Sequence, residues 1–253
     1  MDLKLKGKTA LITGATKGIG RAIAQTLASE GVHVAICARN ETEVANTVQN
    51  LEGYGINVFG RAVDVSNALA LQEWVAEAAK VLGNIDIVVA NVSALAINND
   101  ESGWQQGFQV DMMGTVRLVN AAMQYLEKSD HASIITISSV SGREIDFASG
   151  PYGAFKAAIV HYTQGLAYHL ASKKIRANSV SPGNTYFPGG VWSQIEVGNP
   201  ELFKQALAMN PTGRMATPQE IANAVVFLAS PAASFITGTN LVVDGALTKG
   251  VQL

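Results

Sequence analysis

The feature that most constrains this chain is its first thirty residues. The apolar run Lys8 to Thr13 breaks into Gly14-Ala15-Thr16-Lys17-Gly18-Ile19-Gly20, after which Ile23, Ala24, Leu27 and Ala28 recur at helical spacing. An apolar run, a glycine turn and an amphipathic helix in direct succession predict a strand that crosses over through a helix. Gly31 closes that helix, and a second apolar run, Val32 to Cys37, completes a βαβ unit. The pattern then repeats, with a helix near Glu41 to Leu51, a strand near Val58 to Val63, a helix near Leu69 to Leu82 and a strand from Ile85 to Ala90. Strands alternating with helices imply a mainly parallel sheet covered on both faces.

Further along, a long helix is expected from about Gly103 to Leu126, a strand from Ser133 to Ile137, and a helix bearing Tyr152 and Lys156 toward Ser172. A strand from Arg176 to Val180 follows, stopped by Ser181-Pro182-Gly183. Between 184 and 211 the alternation breaks down into a stretch rich in proline and glycine that also holds Tyr186, Phe187, Trp192 and Phe203. So many aromatics in one irregular stretch suit an insertion that closes over a site. Thr217-Pro218-Gln219-Glu220 then caps a helix to about Ala229, and Asn240 to Val243 is a last strand. With no linker, repeat or shift of composition, residues 1–253 are expected to form one domain.

Composition narrows the partner. A chain with 15% charged residues and a net charge of −2 offers no electrostatic footprint for nucleic acid or an anionic membrane, so a small molecule is expected. The apolar runs are too short to cross a bilayer, and Met1 to Lys8 alternates lysine with leucine, which points to the cytoplasm. Cys37 is the only cysteine, and the four histidines show no zinc-type spacing, so neither a disulfide nor a metal is expected.

Two constellations carry chemistry. In the glycine turn, Gly14 permits a tight bend, while Gly18 and Gly20 let backbone approach a pyrophosphate held at the positive end of the helix. The spacing Gly-x-x-x-Gly-x-Gly differs from the general dinucleotide fingerprint but occupies the same place between strand and helix. Tyr152 and Lys156 stand four apart, on one face of a helix. An ammonium beside a phenol eases loss of its proton, as an acid/base at a carbon that gains or loses hydride requires.

Taken together these residues resemble the short-chain dehydrogenase/reductase family in its compact form, over essentially the whole chain. Thr13-Gly14-x-x-x-Gly18-x-Gly20 is similar to its cofactor turn, Ser139 falls thirteen residues before Tyr152, and Tyr152-x-x-x-Lys156 is its signature. Asp64-Val65, Asn178-x-Val180-x-Pro182-Gly183, Ile236-Thr237-Gly238 and Val243-Asp244-Gly245 are further matches. The resemblance implies an α/β, Rossmann-type doubly wound fold with a seven-stranded parallel sheet in the order 3-2-1-4-5-6-7. It also implies Tyr152 as acid or base, Ser139 as hydrogen-bond donor to the reacting oxygen, and Lys156 supporting the tyrosine and holding the nicotinamide ribose. The cofactor would lie along Gly14, Thr16, Lys17, Gly18, Ile19 and Gly20, with its adenosine near Arg39, Asp64 and Val65. Asn91, Pro182, Gly183 and Thr185 would meet its other half. Compact members are usually tetramers, and the apolar end Val251-Gln252-Leu253 is expected to pack on a neighbour. Ser138, on the opposite face of its strand, is expected to be structural.

Three departures stand out: Ala90-Asn91-Val92-Ser93 replaces Asn-Asn-Ala-Gly, Phe155 replaces the serine before the lysine, and Asp111 replaces the asparagine that positions a relay water. Asp111 is expected to keep that relay role. At the end of the second strand Ala38 stands where an acid would bind the ribose hydroxyls of NAD. Arg39 and Lys17 beside it predict NADP(H), with NAD(H) as the alternative. For the substrate, Phe147, Tyr186, Phe187 and Trp192 predict an apolar wall, with Arg143 and Glu144 close enough to reach in but more often a solvated rim pair. The reading is a ketone reductase or alcohol dehydrogenase. An acyl-thioester ketone reductase, a nucleotide-binding redox sensor and a sugar-nucleotide epimerase are the alternatives.

Overall fold

The computed structural model describes residues 2–251. Strands β1 (Thr9–Thr13), β2 (His33–Ala38), β3 (Val58–Ala62), β4 (Ile87–Ala90), β5 (Ser133–Ile137), β6 (Arg176–Pro182) and β7 (Asn240–Val243) form one parallel sheet in the order 3-2-1-4-5-6-7. The alternation of side chains along each strand divides the core. Ala10, Ile12, Val34, Ile36, Ile87 and Val89 pack on one face with helices α1 (Gly18–Ser29) and α9 (Pro218–Ala229). Leu11, Ala35, Cys37, Val88 and Ala90 pack on the other with α3 (Ala68–Leu82) and α5 (Met113–Leu126). Central strands buried on both faces explain why β1 and β4 read as continuous apolar runs rather than alternating ones. The order reverses between β1 and β4, and the strand ends there open the crevice in which such sheets hold ligands.

The remaining helices are α2 (Glu41–Glu52), α4 (Glu101–Gly107), α6 (Pro151–Leu170), α7 (Val191–Gly198) and α8 (Pro200–Ala208). Two expectations change. The long helix expected from Gly103 to Leu126 begins at Glu101 behind an Asp100 cap and is interrupted by a π-helical turn at Phe108–Met112. The wider turn carries Asp111, which is buried, and such interruptions gather at functional sites. The second change is in 184–211, which holds α7 and α8 in place of an irregular loop. Asn199 ends the first and caps the second, and Trp192, Ala206 and Met215 make a small core of their own. The capping box at Thr217 and Glu220 is present as expected. Among the described residues no helix is long and apolar enough to cross a membrane. Val251 is exposed, while Gln252 and Leu253 lie outside the described residues.

Candidate active site

At the C-terminal ends of β1, β4, β5 and β6 lies a cavity of about 550 Å³. One side is the glycine turn. Gly14 and Gly18 have φ of 66° and 53°, left-handed values that side chains other than glycine rarely adopt. Gly20 is glycine for a different reason, since a Cβ there would run into the Gly14 carbonyl and the Asn91 amide. Asn91 ties the turn to β4, its Nδ2 donating to Thr13 O at 3.0 Å and Gly14 O at 3.1 Å. Gly20→Ala is therefore expected to destabilise the protein by about 1–3 kcal/mol. An unchanged Tm would show that the turn can absorb a methyl group.

The turn suits an anion. Helices α2, α3, α4 and α9 each begin with a side chain that accepts from their first backbone N–H groups, whereas α1 begins at Lys17 with no side-chain cap and no acid in its first turn. Its N–H groups and its positive dipole end are left toward the cavity, which Lys17, Ile19 and Gly20 line. These donors suit a dinucleotide pyrophosphate, and the Phe187 ring that packs on Gly18 would have to swing aside to admit it. Thr16 takes another role, since its buried hydroxyl donates to Glu43 Oε2 at 2.9 Å and staples the turn to α2. Arg39 is exposed beyond the end of β2, and its charge reaches Asp64 at the end of β3. The Asp64 carboxyl is held below its usual range, first by the Ser66 N–H it accepts and in lesser part by Arg39. Val65 is buried against Gly114.

The other side of the cavity holds the serine, tyrosine and lysine. Ser139 follows β5, Tyr152 lies in the first turn of α6, and both line the cavity. Gly142 and Gly153 let the serine loop lie directly on α6, because a Cβ at either position would meet backbone of the other segment at 2.7–2.8 Å. The Ser141 N–H donates to Ser139 Oγ at 3.2 Å, filling one acceptor position and turning the serine proton toward other acceptors. Ser138 is structural as expected: its buried hydroxyl donates to the Lys156 carbonyl at 2.7 Å and fixes α6 to β5.

Lys156 is only 2% exposed, with its Nζ 5.6 Å from the Tyr152 ring centroid. Nζ donates to Ile137 O at 3.1 Å and lies 3.2 Å from Asp111 Oδ1, close enough for an ion pair though off the line of a hydrogen bond. Asp111 Oδ2 accepts from Ala94 N at 2.8 Å. The carboxylate thus meets the ammonium directly, where the sequence suggested contact through a water.

Other expectations divide. Pro182, Gly183 and Thr185 line the cavity, but the Thr185 hydroxyl donates back to the Gly183 carbonyl at 3.1 Å. Asn178 is fully buried and pins the 236–239 turn through the Ile236 carbonyl and the Thr239 N–H. Phe147, Phe187 and Trp192 line the cavity, and Phe147 packs edge-on against Trp192 with ring centroids 5.6 Å apart. Tyr186 does not. It packs on Phe203, and its hydroxyl donates to Glu196 at 2.6 Å. Arg143 and Glu144 do not line the cavity over Tyr152 either, and Glu144 Oε1 accepts from the Lys249 and Gly250 N–H groups. Sequence reasoning missed Ser141 and Asp146, which do line it. Both sit in a loop without periodicity, where no spacing rule singles out a side chain.

Comparison with known proteins agrees with this geometry. A family model described as enoyl-(acyl carrier protein) reductase matches residues 14–248. An isoepoxydon dehydrogenase of Penicillium expansum is 42% identical, covering 98% of this chain and 97% of its own length. The structure of a 7α-hydroxysteroid dehydrogenase complexed with NADH and 7-oxo glycochenodeoxycholic acid superposes with a TM-score of 0.90 at 30% identity, covering 97% of this chain and 96% of that one. An L-sorbose reductase of Gluconobacter frateurii, complexed with NADPH and L-sorbose, gives a TM-score of 0.91 at 29% identity, covering 99% of this chain and all of the other. A parallel sheet in this order, a glycine turn at its switch point, a Ser–Tyr–Lys cavity and relatives of matching length lead to one conclusion: the chain belongs to the short-chain dehydrogenase/reductase family, oxidoreductases acting on alcohols and carbonyls.

Proposed function

We propose that this chain is an NADP(H)-preferring oxidoreductase that reduces a ketone to a secondary alcohol, or runs the reverse. The observation that carries the reading is the convergence of Ser139, Tyr152 and Lys156 on one cavity beside the uncapped end of α1. The bound nicotinamide supplies or accepts the hydride. Gly14, Gly18, Ile19 and Gly20 hold the pyrophosphate, with Lys17 beside it. Asn91, Pro182, Gly183 and Thr185 shape the nicotinamide end, and Asp64 and Val65 the adenine end. Ser139 donates to the reacting oxygen, and Tyr152 gives it a proton in reduction or takes one in oxidation. Lys156 holds the ribose and steadies the tyrosine, with Asp111 as its anionic partner. Phe147 and Trp192 exclude water from the reacting carbon, while the Phe187 ring packs on Gly18 of the glycine turn. The test is turnover of a panel of ketones and alcohols with both cofactors, and cofactor binding without turnover would favour a redox sensor.

In this reading residues 1–253 are one domain, with 184–211 as its lid, acting in the cytoplasm. We also propose a homotetramer. Trp104 and Phe108, both partly exposed, stack on Phe155 in an aromatic face outside the catalytic cavity, which supports association through these helices.

The relatives differ in cofactor, one structure holding NADH and another NADPH, so the preference rests on this chain's own cations. Lys17 and Arg39 are both exposed near where the adenosine ribose would lie, and Ala38 leaves no acid at the strand end. At about 1.5 kcal/mol for each charge-assisted hydrogen bond, the pair would favour NADPH by roughly a hundredfold. Arg39→Ala is expected to lose about tenfold of that preference in kcat/KM. Equal values for both cofactors in the parent, or an unchanged ratio in the variant, would defeat the assignment.

A further inference from the structure

The loop between Ser139 and Tyr152 brings one charged side chain into the substrate end of the cavity. Asp146 lines it beside Phe147, Leu95 and Trp192. Its Oδ2 accepts from Ser141 Oγ at 2.6 Å and its Oδ1 from Ala148 N at 2.8 Å. A carboxylate oxygen has two acceptor positions, so each oxygen keeps one in reserve. Ser141 has spent its only hydroxyl proton on Asp146, so its own oxygen can only accept. Ser139 reaches that oxygen at 3.3 Å, a length that binds weakly. Asp146 therefore stands two hydrogen bonds from the serine that faces the reacting oxygen.

The other lining charges do not offset it. Lys17 belongs to the glycine turn, and Lys156 is paired with Asp111. Beside the apolar side chains of Leu95, Phe147 and Trp192 the cavity thus presents a hydroxyl acceptor and a negative charge, two hydrogen bonds from Ser139.

We propose that Asp146 is a specificity-determining residue that selects ketones and alcohols carrying a second hydroxyl near the reacting carbon and rejects those carrying an anion there. This rests on the carbonyl–alcohol reading of the site. A hydroxyl donating to a carboxylate makes a charge-assisted bond, and a site built for it leaves its acceptor unmatched when the hydroxyl is missing. A carboxylate in the same position meets like charge.

The experiment compares kcat/KM with NADPH for cyclohexanone, the positional isomers of hydroxycyclohexanone, and oxocyclohexanecarboxylate. The parent is expected to prefer at least one hydroxyketone over cyclohexanone by roughly ten- to hundredfold, and to use the carboxylate at least about tenfold less well. Asp146→Ala is expected to bring the hydroxyl ratio to within a few-fold of unity, Asp146→Asn to keep the part of it that a neutral hydrogen bond supplies, and both to relieve the penalty on the carboxylate. Ratios taken within one variant cancel any effect that Asp146 exerts on Ser139 through Ser141. A parent with no preferred isomer, or ratios unchanged in Asp146→Ala, would overturn the proposal. Calorimetric binding of cyclohexanediol against cyclohexanol to the parent with NADPH present reads the same discrimination without turnover. A parent that reduces no ketone but binds the diol more tightly, with the difference lost in Asp146→Ala, overturns the redox reading while upholding hydroxyl selection by Asp146. Equal binding of diol and cyclohexanol overturns that selection too. A parent that reduces all the ketones alike overturns the proposal and upholds the redox reading.

Discussion

Tyr152→Phe is expected to lower kcat by a factor of about 10² to 10⁴, the usual cost of losing a positioned acid or base, while leaving the Kd for NADPH within a few-fold of the parent. The substitution removes one hydroxyl and little else. The backbone N–H of residue 152 still donates to the Ala96 carbonyl at 3.1 Å, and an aromatic ring remains beside the Lys156 ammonium. Lys156 keeps its contacts with Ile137 and Asp111, so the lysine proposed to hold the ribose stays in place. Steady-state turnover together with cofactor titration separates the two quantities. A phenylalanine variant within a few-fold of the parent kcat would end the acid/base assignment. Ser139→Ala removes the hydroxyl proposed to donate to the reacting oxygen, and a loss of about 10² to 10³ in kcat is expected from a single donor of that kind. The Ser139 proton is held only by the long 3.3 Å contact to Ser141 Oγ, which a substrate oxygen can replace, and alanine has nothing to offer in its place.

What could be read in advance followed from local rules. The strands that fill the middle of the sheet announced themselves because burial on both faces requires apolar residues without a break, as in Ile134 and Ile135 of β5. The glycine turn was legible because its left-handed φ at 14 and 18 strongly favours glycine, and a Cβ at 18 would also meet the Phe187 ring. Tyr152 and Lys156 share a helix face by spacing alone, but only the fold shows that Lys156 is buried and held by the β5 carbonyl of Ile137. The π turn at 108–112 was not legible, since its composition is that of an ordinary helix, and its contacts with α6 through Phe108–Phe155 and Asp111–Lys156 are tertiary. Helices α7 and α8 were hidden by the proline and glycines at their ends, which read as loop although Pro200 opens a helix behind Asn199. Asp146 was passed over in favour of Arg143 and Glu144, its neighbours in the loop. Side-chain direction in an irregular segment depends on turns such as the Asp146 bond to Ala148 N, and sequence spacing does not report these.

Asp111→Ala is expected to destabilise the protein by about 3–5 kcal/mol, because it leaves a buried ammonium without its counter-charge. Both members of the pair are 2% exposed, so water cannot take the place of the carboxylate as it would for a surface pair. The Ala94 N–H that Oδ2 accepts would also lose its partner, and Lys156 would keep only the Ile137 carbonyl. Asp111→Asn separates these losses, since its amide oxygen can still accept from Ala94 while its charge is gone. Urea unfolding of Asp111→Asn, Lys156→Met and the double variant closes a cycle in which the double variant is expected to lose less than the two single losses combined. Additive losses would show that carboxylate and ammonium stabilise the fold independently. The pH profile of kcat/KM for Asp111→Asn then decides what the pair does for chemistry. A profile that moves relative to the parent places the carboxylate in control of the lysine and tyrosine charges, because removing an anion beside an ammonium changes the field at both. A profile that stays fixed beside a large loss of stability would confine Asp111 to holding Lys156 in place, and the relay role inferred for it would fall.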